Sequence, residues 1–376
     1  MSRQHPLSPA GRWACSAAAA WLGLSAAATG RPAPPSASPQ PFSITRADPA
    51  LDALIAPDAK LRTVASGFGF SDGPVWIRGQ GGRPGYLLVS SIIGNVIYKV
   101  TPEGRVSVFL DKAGYSGTDF AHDGKLAYFA RIHVILIGPN CTGIDGQGRL
   151  VWCAGQDRAL KRLETDGSRT TLADNFEGKR FNGPNDVAIA PDGAIYFTDS
   201  DVGLRGGIKG GLAQMPDDVW RWKDGKVTRA VSRDALGDEP NGIALSPDGK
   251  WLYLSAGTTS PKPMIIRYPV AVDGGVGPGA LFTEGEGIGD GMKTDARGNL
   301  YSSGPLTGTV RITSPTGKLL GVLRLPKAGD SEPSKLICAS ALAFGGDDAR
   351  TLYITACDDV YAIRLRSPGI LEGPGG

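Results

Sequence analysis

The chain has 376 residues, a formal net charge of +3 and 41% hydrophobic residues. A chain this close to neutral lacks the basic surface that nucleic-acid binding requires, so nucleic acid is not an expected partner. With 54 Gly and 28 Pro, the chain is rich in turn-forming residues yet long enough to bury a large core, which favours a fold of many short strands.

The N-terminal residues are typical of an export signal. Arg3 and Arg12 precede the apolar run WACSAAAAWLGLSAAATG, which begins at Trp13. Because this run is short for a membrane span, we predict a signal peptide over residues 1–28 and no membrane association after its cleavage. A retained N-terminal anchor is the alternative. The mature protein is therefore expected in a periplasm or outside the cell.

The signal is followed by TGRPAPPSASPQP, a run of Pro, Ser and Ala that has little capacity to pack. We predict a Pro/Ser-rich tether over residues 29–45. The folded domain is predicted over residues 46–368, and the last residues, 369–376, are predicted to be a flexible tail.

One hairpin pattern occurs six times in the domain. Each copy has an oxygen-bearing residue at its head, an apolar strand, a Gly-containing turn and a returning strand, as in NDVAIAPDGAIYFTD. The copies begin 45 to 68 residues apart, at Asp72, Asn140, Asn185, Asn241, Asp290 and Ser340. Each repeat has room for two more strands, and four-stranded units at this period are the signature of a β-propeller. We predict an all-β fold, a six-bladed β-propeller with a central channel, because a β-helix has a far shorter period.

The residues that head the six hairpins are predicted to form a ring. The first strand of each blade lines the channel, and all such strands run the same way, so their first residues meet at one mouth. Asp72 and Asp290 would neutralise a divalent charge, and Asn185 and Asn241 would add carbonyl oxygens. These are hard ligands suited to Ca²⁺, Mg²⁺ or Mn²⁺. The alternative is that the residues only cap strand ends and turns.

Four cysteines fall in two of the predicted hairpins. Centring each hairpin on its turn places Cys141 opposite Cys153 and Cys338 opposite Cys357, close enough to bridge. In an exported protein two such pairs are expected to form two disulfides. Buried free thiols are the alternative.

The hairpin KRFNGPNDVAIAPDGAIYFTDS resembles the signature hairpin of the gluconolactonase and senescence marker protein (regucalcin) family of six-bladed propellers. EPNGIALSPDGKWLYLS and GDGMKTDARGNLYSSGP follow in the order found in that family, and the resemblance covers nearly all of residues 72–365. It implies a divalent metal at one channel mouth, held by Asp72, Asn185, Asn241 and Asp290, which is also the set that the repeat phase selects. Ca²⁺ is the first expectation, with Mg²⁺, Mn²⁺ or Zn²⁺ as alternatives.

The resemblance also implies hydrolysis of a small-molecule lactone. The metal would polarise the ester carbonyl, and Asp290 would act as the catalytic base toward water. We further predict that the substrate-binding residues are Arg180, Asn140 and Asp186. Arg180 would bind hydroxyls or a carboxylate, and Asp186 would orient the metal or the attacking water.

The chain departs from the family pattern at two places. SDGPVW places Asp72 where the family usually has Glu, and Cys153-Ala154-Gly155 stands where gluconolactonase-like members often carry Glu-His-Gly after the cysteine. An aryl ester or organophosphate hydrolase on the same metal site, or a propeller that binds a ligand without turnover, are the alternative functions. Substrate choice is expected to depend on the loops at 201–211 and 258–263, and the protein is expected to be a monomer or a small homo-oligomer.

Overall fold

The computed structural model describes residues 41–117, 126–129, 132–204, 213–258, 260–326 and 338–374. The predicted signal peptide and residues 29–40 of the predicted tether lie outside the described residues. None of the helices within these ranges has the length and apolar character needed to cross a membrane.

The described residues form 27 strands and three short helices. The strands of the first half are β1 (Ser43–Arg46), β2 (Leu61–Ile77), β3 (Tyr86–Ser91), β4 (Val96–Val100), β5 (Val106–Asp111), β6 (Leu126–Phe129), β7 (Ile132–Ile135), β8 (Pro139–Ile144), β9 (Leu150–Ala154), β10 (Ala159–Leu163), β11 (Arg169–Ala173), β12 (Asn175–Phe176), β13 (Lys179–Arg180), β14 (Pro184–Ile189) and β15 (Ile195–Asp199). Those of the second half are β16 (Val219–Lys223), β17 (Lys226–Val231), β18 (Pro240–Leu245), β19 (Trp251–Ala256), β20 (Met264–Pro269), β21 (Ala280–Glu284), β22 (Met292–Thr294), β23 (Leu300–Gly304), β24 (Thr309–Thr313), β25 (Leu319–Arg324), β26 (Ala341–Gly345) and β27 (Thr351–Arg364). Two 3₁₀ helices span Pro49–Ala53 and Val202–Leu204, and the one-turn α-helix α1 spans Arg233–Leu236.

The repeated hairpins form as the sequence pattern requires. In the hairpin β14–β15, Val187 pairs with Phe197 across the strands. Gly193 takes a φ of 82° in the turn, a conformation that favours glycine. The Asp192 carboxylate accepts the Ala194 backbone N–H at 2.9 Å, as the Asx residue of such a turn commonly does. Turn chemistry and alternation of side chains therefore specify the same hairpin.

Five sheets of four to six strands carry these hairpins. Three of them contain four consecutive strands each, namely β8 to β11, β14 to β17 and β18 to β21. The fourth runs β22 to β25 and is extended by β1, and the fifth has the order β26-β27-β2-β3-β4-β5. The inner strands β2, β8, β14, β18, β22 and β26 contact one another in this order, and β26 contacts β2. They therefore surround a central channel, as in a propeller.

The prediction of six separate blades is wrong, because two of the six repeats share the six-stranded sheet. The early residues of β2 pair with β27, where Leu61 faces Ile363. Its last residues pair with β3, where Ile77 faces Tyr86. β2 is one continuous strand, so it joins the hairpin of the last repeat to the hairpin of the first. The six repeats therefore form five sheets of four or more strands, beside the two-stranded sheets β6-β7 and β12-β13 in the described residues.

Both predicted boundaries of the domain also need correction. β1 begins at Ser43, inside the predicted tether, and pairs with β25, where Ser43 faces Arg324. The predicted flexible tail begins at residue 369, yet Leu371 is only 5% exposed and Glu372 forms a salt bridge with Lys293. The chain therefore packs onto the propeller at both ends of its described range, which composition alone did not indicate.

The core lies between neighbouring sheets rather than in the channel. Between the sheet of β8 and the sheet of β14, the fully buried side chains of Val151, Leu160, Phe197 and Trp220 pack together. Apolar faces of adjacent sheets thus bury each other, and the channel is left to the polar residues at the strand ends.

Candidate functional site

A cavity of about 270 Å³ lies where the repeated hairpins begin. Five of the six predicted ring residues line it: Asp72, Asn140, Asn185, Asn241 and Asp290. Apolar side chains such as Phe70 and Ile92 form part of the remaining wall. The structure therefore brings together all four predicted metal ligands, while their roles stay predictions.

Glycines that follow ring residues allow the inner strands to approach one another. Gly73 has a φ of 39°, and a Cβ there would lie 2.1 Å from the backbone oxygen of Asn140. A Cβ on Gly242 would lie 2.1 Å from the backbone oxygen of Asp290. Any side chain at these positions would push neighbouring ring residues apart, which explains why the motifs read Asp-Gly and Asn-Gly.

The three ring asparagines form a ladder of hydrogen bonds. Asn140 Nδ2 donates to Asn185 Oδ1 at 2.7 Å, and Asn185 Nδ2 donates to Asn241 Oδ1 at 2.7 Å. Asn241 Nδ2 continues to Thr258 Oγ1 at 3.1 Å, which donates to the Gly289 carbonyl oxygen at 2.5 Å. The amide oxygens of Asn185 and Asn241 each use one acceptor site in the ladder and keep a second lone pair for another partner.

Two ring carboxylates repel each other. Burial raises the pKa of Asp72 to about 7, a backbone hydrogen bond from Gly73 opposes the shift, and the charge of Asp186 adds to it. Burial, together with the charges of Asp72 and Asp186, raises the pKa of Asp290 well above its usual range. Like charges held together in a buried cavity are an arrangement that a bound cation stabilises.

Asp186 braces two strands of the ring and does not line the cavity. Its Oδ1 accepts the Val187 N–H at 2.8 Å, and its Oδ2 accepts the Ile243 N–H of the next inner strand at 3.0 Å. Thr198 Oγ1 accepts the Asp186 N–H at 3.0 Å and donates to the Asn241 carbonyl oxygen at 2.7 Å. Asp186 thus links the inner strands that carry Asn185 and Asn241. It does not line the cavity as a substrate-binding residue would.

Two other predicted positions are not part of the cavity. Arg180 is exposed, and its Nη2 donates to the Asp157 carbonyl oxygen at 2.7 Å. The structure therefore does not bring Arg180 to the site as a substrate-binding residue. Ser340, the sixth ring position, is fully buried and donates through Oγ to the Ser71 carbonyl oxygen at 2.7 Å.

An acidic wall beside the ring was missed by sequence reasoning. Carboxylate oxygens of Asp201, Asp217 and Glu239 lie within 4.8 Å of one another, and Glu239 lines the cavity. Ser200 Oγ donates to Glu239 Oε1 at 2.8 Å, and Asn182 Nδ2 donates to Asp217 Oδ1 at 2.9 Å. The sequence position of Glu239, two residues before the ring residue Asn241, could have indicated that it lies near the cavity.

The loops predicted to control specificity are described only in part. Val202, Leu204 and Thr258 line the cavity. Residues 205–211 and residue 259 of the same loops lie outside the described residues.

Both predicted disulfides are confirmed, and both lie at the cavity end of the channel. They join Cys141 to Cys153 with a Cα–Cα distance of 5.0 Å and Cys338 to Cys357 with a Cα–Cα distance of 5.6 Å. Cys141 follows Asn140 in the chain, and Cys357 pairs with Ser71, the residue before Asp72. Cys141–Cys153 therefore holds the strand β8 that carries Asn140, and Cys338–Cys357 holds β27, which pairs with the strand that carries Asp72.

Comparison with known proteins agrees with this arrangement. Residues 70–358 match the family described as the SMP-30/Gluconolactonase/LRE-like region. A gluconolactonase from Zymomonas mobilis is 30% identical over 346 residues, covering 87% of each chain. A 6-deoxy-6-sulfogluconolactonase from Pseudomonas putida is 33% identical over 151 residues, which are 35% of this chain and 48% of that relative. The solved structure of a gluconolactonase from Xanthomonas campestris, 29% identical, superimposes with a TM-score of 0.68 over 89% of this chain and 99% of its own.

Proposed function

Because this chain belongs to the SMP-30/gluconolactonase/LRE-like family, we propose that it is a divalent-metal-dependent hydrolase that opens sugar-type lactones. One observation carries the proposal. The four residues that the repeat phase selects as ligands, Asp72, Asn185, Asn241 and Asp290, line a single cavity. At about 270 Å³, this cavity is of a size for a small molecule.

The donor set fits a hard divalent cation. Two carboxylates match its charge, and two amide oxygens add ligands without further charge. Burial and the charge of Asp72 raise the pKa of Asp290, and a cation held by these residues would relieve the repulsion between the two carboxylates. Ca²⁺ suits such a set best, and Mg²⁺, Mn²⁺ and Zn²⁺ are the other candidates.

A cation held by these four residues would supply Lewis-acid polarisation of the lactone carbonyl. The remaining chemistry belongs to the chain itself. The Asp290 carboxylate takes a proton from the attacking water, whose oxygen bonds to the carbonyl carbon while the ring C–O bond breaks. The proton then passes to the alkoxide that leaves, so the product is the open hydroxy acid.

Polar groups around the ring orient the sugar hydroxyls in this proposal. The Glu239 carboxylate and the Gln156 amide line the same cavity, and both groups accept hydrogen bonds from hydroxyl groups. Two relatives named for gluconolactone-type substrates support a polyhydroxylated lactone. Export from the cytoplasm is also part of the proposal, since two disulfides fit an oxidising compartment.

The test is hydrolysis of a panel of lactones by the mature protein, followed as acid release. The protein is first stripped of metal, and Ca²⁺, Mg²⁺, Mn²⁺ and Zn²⁺ are then added in turn. We expect turnover of a sugar lactone that is lost on stripping and restored by at least one cation. Turnover of aryl esters or phosphotriesters alone would replace the lactonase proposal with the alternative hydrolase. Ligand binding without turnover under every condition would leave a binding propeller.

A further inference from the structure

The C-terminal residues 366–374 cross the end of the channel opposite the cavity. Gly369 forms an antiparallel bridge with Asp295, which follows the inner strand β22. Arg78, which follows the inner strand β2, donates through Nη2 to the Leu371 carbonyl oxygen at 3.2 Å. The chain runs from Asp72 to Arg78 and from Asp290 to Asp295 along these inner strands, away from the cavity that Asp72 and Asp290 line. The C-terminal segment therefore covers the far end of the channel.

From this segment Glu372 reaches into the channel. Its Oε2 accepts the Ile144 N–H of the inner strand β8 at 3.0 Å, and its Oε1 lies 2.7 Å from Lys293 Nζ of β22. Gly143 makes room for the carboxylate, because a Cβ there would lie 3.1 Å from Glu372 Oε2. Glu372 therefore joins two inner strands from the side opposite the ring ligands.

The ion pair connects electrostatically with the ring. Lys293 lies on the inner strand β22, three residues beyond Asp290 in the chain, and its charge is attracted by both Glu372 and Asp186. Asp186 in turn acts on both Asp72 and Asp290. Along the channel the charges thus alternate between the cavity acids, Lys293 and Glu372.

The charge of Lys293 matters for cation binding. Asp72, Asp186 and Asp290 carry three negative charges when ionised, and Lys293 is a partly buried positive charge on their far side. Left unpaired, Lys293 would cancel part of the field that attracts a divalent cation. Glu372 removes that effect by pairing with Lys293 away from the cavity.

We propose that Glu372 is a positioning residue, which holds Lys293 at the far end of the channel and balances its charge so that the cavity keeps its affinity for a divalent cation. The inference rests on the proposed function for the cation site. It assigns a role in that site to the C-terminal segment, far from the ligands in sequence and on the other side of the channel.

Calorimetric titration of Ca²⁺ into the mature protein tests this with a charge cycle. Glu372→Gln keeps an acceptor for the Ile144 N–H but removes one negative charge, and we expect about tenfold weaker Ca²⁺ binding. The double variant Glu372→Gln/Lys293→Met removes both charges, and we expect its affinity to return to within about threefold of wild type. Glu164→Gln is the matched control, because Glu164 also pairs with arginine side chains but outside the channel; we expect wild-type affinity.

The charge cycle distinguishes an effect of the Glu372 charge from an effect of the packing of the C-terminal segment across the channel. If the double variant binds Ca²⁺ as weakly as Glu372→Gln, with both variants retaining the wild-type melting temperature, the segment acts by packing and the proposal is overturned. Unchanged affinity in Glu372→Gln also overturns it, without affecting the proposed cation site. A wild-type protein that binds none of the four cations would instead overturn the proposed cation site and this inference together.

Discussion

The two ends of the channel are built from the same inner strands but differ in their charges: like charges lie together at one end, and opposite charges are paired at the other. At the cavity end the carboxylates of Asp72 and Asp290 repel each other, and burial together with this repulsion raises the pKa of Asp290. At the far end Lys293 and Glu372 form an ion pair at 2.7 Å. Opposite charges are thus paired where the C-terminal segment covers the channel, and like charges are kept where the cavity lies.

The difference indicates which end the fold uses for binding. Like charges in a buried site cost folding free energy, so a protein retains them where a ligand offsets the cost. The surrounding structure resists the repulsion, since both disulfides and the asparagine ladder lie at the cavity end. The disulfides and the asparagine hydrogen bonds stabilise this end of the channel, so the carboxylates of Asp72 and Asp290 remain available for a ligand.

The largest expected effect is on the cavity acid proposed as base. Asp290→Asn retains the shape of the side chain but removes the proton acceptor, so we expect the rate of lactone hydrolysis to fall by at least about 100-fold. The measurement is kcat at saturating cation, with calorimetry reporting the cation bound. Asp273→Asn is the control, because Asp273 is an exposed turn residue that accepts the Gly275 N–H at 2.8 Å. Turnover within about threefold of wild type would remove Asp290 from the base role.

A smaller effect is expected from the disulfide beside the ladder. Replacing both Cys141 and Cys153 with alanine frees the strand that carries Asn140, and we expect a loss of about 3 kcal/mol in the free energy of unfolding. Chemical denaturation with and without Ca²⁺ measures this, and the cavity-end location predicts that cation binding weakens too. If stability fell while Ca²⁺ affinity stayed at the wild-type value, the covalent link would serve the fold alone.

Much of the fold was predictable because the repeats carry their structure locally. Alternation and turn residues predict each hairpin, and the register of two hairpins predicts both disulfides. The number of sheets was not predictable in this way. It depends on the continuity of β2, which pairs with β27 at one end and with β3 at the other. The pairing of β1 with β25 likewise joins residues far apart in the chain.

The residues of the site also fall into two groups, those that the repeats predict and those that depend on contacts between distant parts of the chain. Ring residues share one repeat phase, so position in the repeat predicted that Asp72, Asn185, Asn241 and Asp290 would meet. Glu372 lies in a Gly- and Pro-rich terminus, which resembles a flexible tail in composition. Only the path of the chain across the channel shows its contact with Lys293. Arg180 is the reverse case: it is close in sequence to the signature hairpin, but the fold does not place it among the residues that line the cavity.

A further effect is expected on the pH dependence of stability, and it arises at the cavity end of the channel. Burial raises the pKa of Asp72 from 3.8 in the unfolded chain to about 7 in the folded protein. Between these values the folded protein holds a proton that the unfolded chain has released, so this group makes stability fall as pH rises from about 4 to about 7. Asp72→Asn abolishes the contribution, and we expect the stability that the metal-free variant gains over metal-free wild type to increase as pH rises across that window. Urea denaturation in a chelator at several pH values measures the difference. A difference between the two proteins that did not change with pH would contradict a raised pKa at Asp72. Added Ca²⁺ should shift the balance back toward wild type, whose Asp72 carboxylate is proposed to bind the cation.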